Sequence, residues 1–308
     1  MSMNMVICDT GVSGNELNYI TPIDIGFGIY DDNGHGSQLT KLIHLVSPKT
    51  NIYSIKILDK SREGTLADLI YALNVCKDLQ CKVICLALSV DSSCKSNQEL
   101  ESVINTLNNN GIIIVSALFN GSTYSIPAGL KNVIGVRTVN YSLPYNFYDR
   151  NREIQSFLPI EPIISEAIEN RFSLIGGNSL ACALFATHIL ECYEKRNMFE
   201  KKELENYLEG ESISNFEFMK FYKNEHYGKN NDKYHYINEI VVMANNIFKI
   251  NMKEPIYNQL NNLEELTEFL TFFLDKNIFI NKTTFLRISD LINVDSLTQY
   301  FMRQEKKF

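Results

Sequence analysis

The chain has 308 residues, of which 45% are hydrophobic and 21% charged, with a formal net charge of −7. This length builds one large core or two ordinary ones, and the composition excludes a disordered chain. The acidic balance argues against a nucleic-acid partner, whose binders carry basic surfaces.

Met5-Val6-Ile7-Cys8 reads as a short apolar strand that runs directly into Asp9-Thr10-Gly11. It is too short for a signal peptide and has no basic segment before it. Gln38–Val46 reads as a helix, and residues 51–58 alternate as a strand. A helix is expected over Thr65–Leu79, with Thr65 and Asp68 in a capping-box pattern at its start. Lys82–Leu88 is a continuous apolar strand, Gln98–Asn109 a helix closed by Gly111, and residues 112–118 and 133–139 two further apolar strands. Strands apolar on both faces and separated by helices imply a parallel sheet covered on both sides, a doubly wound α/β fold. Ligands of such sheets bind outside the carboxyl ends of the strands, the edge on which Asp9 and Asn120 fall.

From about residue 196 the texture changes: Lys, Glu, Asn and Tyr dominate and no apolar strand run recurs. Lys201–Leu208, Tyr236–Phe248 and Leu263–Leu274 read as helices, and Lys223–Asp232 as a polar loop. The expected division is a catalytic domain over 1–195 and a smaller, mainly helical region over 196–308. No stretch approaches the roughly 18 apolar residues of a membrane span. The 7 cysteines show no zinc-ligand spacing, and Cys8, Cys85 and Cys182 have apolar neighbours. Free, buried thiols in a reducing compartment are expected, hence a cytoplasmic location.

Three segments carry chemistry. Asp9 stands at a strand end, His35 lies between glycines in Asn33-Gly34-His35-Gly36-Ser37, and Ser179 opens an apolar helix in Gly176-Gly177-Asn178-Ser179-Leu180-Ala181. A serine attacks an amide only if an imidazole takes its proton and a carboxylate holds the imidazole's tautomer, and these three residue types fit those roles. Singly, each segment has a plainer reading. Asp-Thr-Gly and Asn120-Gly121 are ordinary turns, and Gly-Asn-Ser before a helix is an N-cap.

Jointly and in this order, they resemble the subtilase family of serine proteases, whose catalytic groups follow the chain order Asp, His, Ser. HGSQLTKLIHLVSPKTNIYSIKILD (35–59) resembles the family's histidine, helix and strand, and REGTLADLIYALNVCKDLQCKVICLALS continues it. GIIIVSALFNG (111–121) resembles the strand that delivers the oxyanion asparagine, and Ile126-Pro127-Ala128 the segment behind the primary specificity pocket. The resemblance covers roughly residues 5–195. It implies Asp9, His35 and Ser179 as the triad, with the Asn120 side chain and the Ser179 backbone N–H as oxyanion donors. It also implies Ala87, Leu88, Ser89, Phe119 and Ser125 as substrate-binding.

The chain departs from the family pattern at Asn178 and Leu180, which flank the serine where Thr and Met are usual, and in lacking the proline a few residues later. Ser89 and Phe119 replace glycines. Phe119 and Ser125 are expected to narrow the primary pocket and restrict specificity. The start of the chain near Asp9 is expected to leave no inhibitory prodomain. Family members often bind calcium, but no EF-hand-like acidic loop occurs and Asp31-Asp32-Asn33 reads as the turn before His35. No metal ligands are assigned, the resemblance leaves calcium dependence open, and no other cofactor is expected. Of the other histidines, His44 and His188 fall on helices and read as packing or surface residues, while His226 and His235 sit in a polar, tyrosine-rich stretch; none is assigned a metal role.

In the C-terminal region, Ser289–Leu297 (SDLINVDSL) resembles the carrier-protein pattern in which a DSL serine accepts phosphopantetheine, making Ser296 a candidate modification site. Too few residues follow for a carrier fold, and Asp-Ser as a helix N-cap explains the same pattern. The leading expectation is a cytoplasmic endopeptidase acting on a particular peptide or protein substrate, such as a leader peptide, with residues 196–308 as a possible docking module for a protein partner. The alternatives are a peptide ligase or macrocyclase working through the same acyl-enzyme, and a catalytically impaired peptide-binding module.

Overall fold

The computed structural model describes residues 4–90, 96–139, 147–168, 171–196, 201–210, 232–251, 255–256, 259–260, 263–275 and 286–304. In chain order the elements are β1 (Asn4–Asp9), β2 (Ile20–Ile23), α1 (His35–Val46), β3 (Asn51–Lys56), α2 (Leu66–Cys76) and β4 (Val83–Leu86). There follow α3 (Gln98–Asn109), β5 (Ile113–Ala117), β6 (Val133–Thr138), β7 (Phe147–Tyr148), β8 (Ser156–Leu158), β9 (Ile163–Ile168) and β10 (Arg171–Ile175). The chain continues with α4 (Gly177–Arg196), α5 (Lys201–Gly210), α6 (Asp232–Ile247), α7 (Leu263–Asp275), β11 (Leu286–Arg287) and α8 (Val294–Gln304). Two compact units result: Met1–Ile160 with Gly176–Phe221, and Glu161–Ile175 with Tyr222–Phe308.

The first unit is built on an 8-stranded sheet in the order β2-β3-β1-β4-β5-β6-β8-β7. All neighbours run parallel except β7, which is antiparallel to β8. This is the expected α/β architecture. The chain winds to one side of β1 through β2 and β3, then crosses to β4 on the other. The carboxyl end of β1, where Asp9 stands, is thus the switch point at which such sheets open a crevice. On one face, Leu69, Leu73 and Cys76 of α2 and Leu100, Ile104 and Leu107 of α3 bury against Val6, Ile55, Ile84 and Ile114 of the strands. On the other, α4 packs across β4, β5 and β6 and meets α1. Its run Leu180–Ala186 is buried all round, so this helix shows no amphipathic stripe.

Local chemistry sets the helix starts. Thr65 Oγ accepts from the Asp68 N–H (3.1 Å) while the Asp68 carboxylate accepts from the Thr65 N–H (3.0 Å), which is the capping box expected at α2. Helix α1 begins at His35, three residues before the position expected from its apolar pattern. The buried Asp31 carboxylate accepts from the N–H groups of Asn33 (2.9 Å), Gly34 (2.7 Å) and Ser37 (2.8 Å). These donors would otherwise be orphaned at a helix start, so a side chain outside the helix sustains the extra turn.

In the second unit β9 and β10 form an antiparallel hairpin, and β11 pairs with the other edge of β9. Its core gathers Phe269, Phe273, Tyr300 and Phe301 with Val241, Leu286, Leu291 and Leu297. The division does not coincide with a boundary at 196: the hairpin residues group with the C-terminal elements, and the first unit runs on to Phe221. Nor is the region after 196 free of strands: β11 has only 2 residues, too few to leave a periodic pattern. Of the loop expected over 223–232, residues 223–231 lie outside the described residues, and Asp232 opens α6.

A buried ion cluster ties residues 287–290 to α8. Asp290 accepts from the Arg287 backbone N–H (3.0 Å), from Arg287 Nη2 (2.8 Å) and from the Arg303 guanidinium. Asp290→Ala leaves two largely buried cations without that carboxylate and is expected to destabilise the unit by about 3–5 kcal/mol. Urea unfolding followed by tyrosine fluorescence checks this, and an unchanged transition contradicts it.

Candidate active site

Asp9 is fully buried at the end of β1. Its Oδ1 accepts from the Thr10 N–H (2.8 Å) and the Thr10 hydroxyl (3.2 Å), and lies 2.7 Å from His35 Nδ1. Those three contacts fix the carboxylate and direct one oxygen at the imidazole. His35 reaches it because α1 approaches the exit of β1 very closely. A Cβ on Gly36 would stand 2.3 Å from the Gly11 carbonyl oxygen, so only glycine lets the helix start this near. The Thr10 hydroxyl also accepts from the Gly36 N–H at 2.9 Å, tying the two segments together.

Ser179 lies in the first turn of α4, where the helix's unpaired N–H groups and dipole favour negative charge. Its hydroxyl donates to the Ala87 carbonyl at 3.0 Å. His35 and Ser179 line one cleft of about 960 Å³, together with Ala87, Leu88, Ser89, Phe119 and Asn120. The cleft also takes in the apolar Leu58, Leu66 and Leu69 and the charged Arg62 and Glu63. Asn120 faces the start of α4, where its Oδ1 accepts from the Asn178 N–H at 3.4 Å. Gly177, at φ +62, makes room for this: a Cβ there would meet Asn120 Oδ1 at 3.1 Å.

Of the residues expected to bind substrate, Ser125 is the exception. It is wholly buried, is not among the cleft residues, and its hydroxyl accepts from the Phe119 N–H at 2.9 Å. It therefore sets the backbone that presents Phe119 rather than narrowing the cleft itself. Phe119 is 46% exposed on the cleft.

The remaining candidates lie elsewhere. Ser296 belongs to the second unit, in the first turn of α8, and its hydroxyl donates to Asn293 Oδ1 at 3.1 Å. The same oxygen accepts from the Ser296 N–H (2.9 Å), so the capping side chain is Asn293 rather than the Asp295-Ser296 pair. Asp295 instead accepts from the Tyr234 hydroxyl. None of the six described cysteines is in a disulfide, and all are buried. Cys85 lies 3.9 Å from Cys182 Sγ, and that hydrogen bond together with burial pushes its thiol well up, while burial takes Cys81 to about 12. Such thiols do not supply a nucleophile near neutral pH. Cys8, beside Asp9, is fully buried as a packing residue.

His44 stacks on Tyr19 and His188 is buried beside Cys192. His235 is exposed, and His226 lies outside the described residues. Asp31 and Asp32 do not suit calcium. The first already accepts three backbone N–H groups, and the second pairs with Lys56 Nζ at 2.7 Å. Among the described residues no group of three or more His, Cys, Asp or Glu side chains gathers as a metal site, and no helix is long and apolar enough to cross a membrane.

The profile of the Subtilase family matches residues 28–236, a span that contains His35, Asn120 and Ser179 and begins after Asp9. A thermophilic serine proteinase of Bacillus sp. (strain AK1) is 28% identical over 197 residues, covering 58% of this chain and 48% of that protein. Thermitase of Thermoactinomyces vulgaris is 27% identical over 155 residues, covering 44% of this chain and 54% of that protein. The chain thus spans about half the length of the curated relatives it matches. Among solved structures, the prenylagaramide maturation protease PagA superposes with a TM-score of 0.56 at 16% identity, over 66% of this chain and 80% of that one, a likeness of fold. The match over 28–236, on an α/β sheet whose switch point holds a paired carboxylate and histidine, establishes that the chain belongs to the subtilase family.

Proposed function

We propose that the protein is a serine endopeptidase in which Ser179 is the nucleophile, His35 the proton carrier and Asp9 the residue that orients His35. The observation that carries this reading is the 2.7 Å contact between Asp9 and His35 Nδ1, with His35 lining the cleft that Ser179 also lines. With its Nδ1 proton engaged by Asp9, the imidazole offers Nε2 as the base. Attack requires the Ser179 hydroxyl to exchange the Ala87 carbonyl for that nitrogen. As Oγ bonds to the scissile carbonyl carbon, its proton passes to His35, and the carbonyl oxygen becomes an oxyanion. The Ser179 backbone N–H and the Asn120 amide are its donors. Collapse expels the amine, which takes the proton from His35, and leaves an acyl-serine. Water attacks that ester by the same steps in reverse order, releasing the acid and free Ser179.

Residues 87–90, leaving β4 along the cleft, are suited to pair with an extended peptide. Phe119 restricts the side chain accepted beside the scissile bond, which favours a particular substrate over general digestion. Removal of a leader from a precursor peptide suits that restriction, and the fold neighbour is a maturation protease by its name. Residues 196–308 are assigned the recruitment of substrate or of a protein partner. The buried free thiols accord with a reducing compartment such as the cytoplasm.

Incubation with a peptide library, read by mass spectrometry, tests this reading. Fragment pairs whose masses sum to the substrate plus one water are expected. Products joined to an added amine without uptake of water would favour acyl transfer, and folded protein giving no product contradicts both.

A further inference from the structure

We infer that Asn178 is a positioning residue that fixes the distance between the two oxyanion donors, an inference that rests on the reading of Ser179 as nucleophile. Asn178 immediately precedes Ser179 and is only 6% exposed. Its Nδ2 donates to the Leu118 carbonyl at 2.7 Å, and its Oδ1 accepts from the Thr138 N–H at 2.7 Å. Its backbone N–H donates to Asn120 Oδ1 at 3.4 Å.

Asn178 is not a helix cap. A cap accepts from the N–H groups of its own helix, whereas this side chain spends both of its polar atoms on other elements. Leu118 follows β5, two residues before Asn120, and Thr138 ends β6. One buried amide thus ties the start of α4 to the ends of two neighbouring strands. The backbone contact then turns the Asn120 oxygen toward α4 and leaves the Asn120 NH₂ as the end able to donate. The Ser179 N–H and the Asn120 amide are thereby held in one frame, through a residue that need not touch substrate.

The test is the rate at which a fluorophosphonate labels Ser179, since the probe's phosphoryl oxygen occupies the same oxyanion position. Asn120→Ala is expected to slow labelling by about 10²-fold or more. Asn178→Ala is expected to slow it by about 10–10²-fold, because misplacing a donor costs nearly as much as losing one. If Asn178 acts through Asn120, the double variant labels no more than about threefold slower than Asn120→Ala alone. Asn178→Asp carries the same test should the alanine variant not fold. It retains the acceptor for Thr138 and loses the donor to Leu118. Both Asn178 variants labelling at the wild-type rate, or losses that multiply with Asn120→Ala, overturn the inference alone. Wild-type protein that takes no label overturns the reading of Ser179 and this inference with it.

Discussion

His35→Ala is expected to lower kcat by about 10⁶-fold, with KM little changed. Without the imidazole, the Ser179 hydroxyl has no base to take its proton, and the leaving amine has no acid to give it one. What remains is binding in the cleft and the oxyanion donors, worth about 10³–10⁴ over water. The serine and histidine act as a unit, so His35→Ala/Ser179→Ala is expected to be no worse than either single variant. Initial-rate kinetics on one cleaved peptide check this. A residual rate within tenfold of wild type would remove His35 from the mechanism.

Asp9→Asn is expected to lower kcat by about 10⁴-fold, a hundredfold less than loss of the base itself. The replacement is isosteric, and the Thr10 N–H and hydroxyl, which now converge on Asp9 Oδ1, still demand an acceptor there. The amide oxygen therefore keeps its position and His35 keeps its neighbour. The negative charge is lost, and with it the stabilisation of the imidazolium formed as the proton leaves Ser179. Because the side chain is fully buried, no solvent replaces that charge. The ordering of the two variants separates an orienting carboxylate from a base. Asp9→Asn as damaging as His35→Ala would mean that the geometry had collapsed, and near-wild-type activity would make Asp9 incidental.

Much of this was legible in the sequence because the first unit obeys local rules. Apolar runs such as Val83–Leu86 and Ile113–Ala117 became central strands, and helix α3 spans the expected residues, since its pattern and its stop at Gly111 agree. The candidate site was legible through glycine placement, because Gly36 marks where one backbone must pass close to another and Gly177 where the Asn120 side chain approaches the start of α4. The start of α1 was not, because Asp31 caps it from outside the helical pattern. The placement of Ser125 is hidden for a related reason: position along the chain does not tell whether a hydroxyl faces a cleft or, as here, a buried N–H. The hairpin β9–β10 is not among the strands expected from the sequence, although Ile163–Ile168 is strand-like, and no local signal says that β11, more than a hundred residues later, pairs with it. The clamp at Asn178 was visible only as a departure from pattern, since its partners Leu118 and Thr138 are distant in sequence.

The most direct test of the central claim is fluorophosphonate labelling of the purified protein, with the adduct located by peptide mass spectrometry and Ser179→Ala as control. One adduct per chain is expected, on Ser179, abolished in Ser179→Ala and strongly slowed in His35→Ala. Ser61 and Ser89 line the same cleft and serve as internal controls, since neither has an imidazole assigned to it. An adduct on either of them, or folded protein that takes no label, would contradict the assignment of Ser179 as the activated nucleophile.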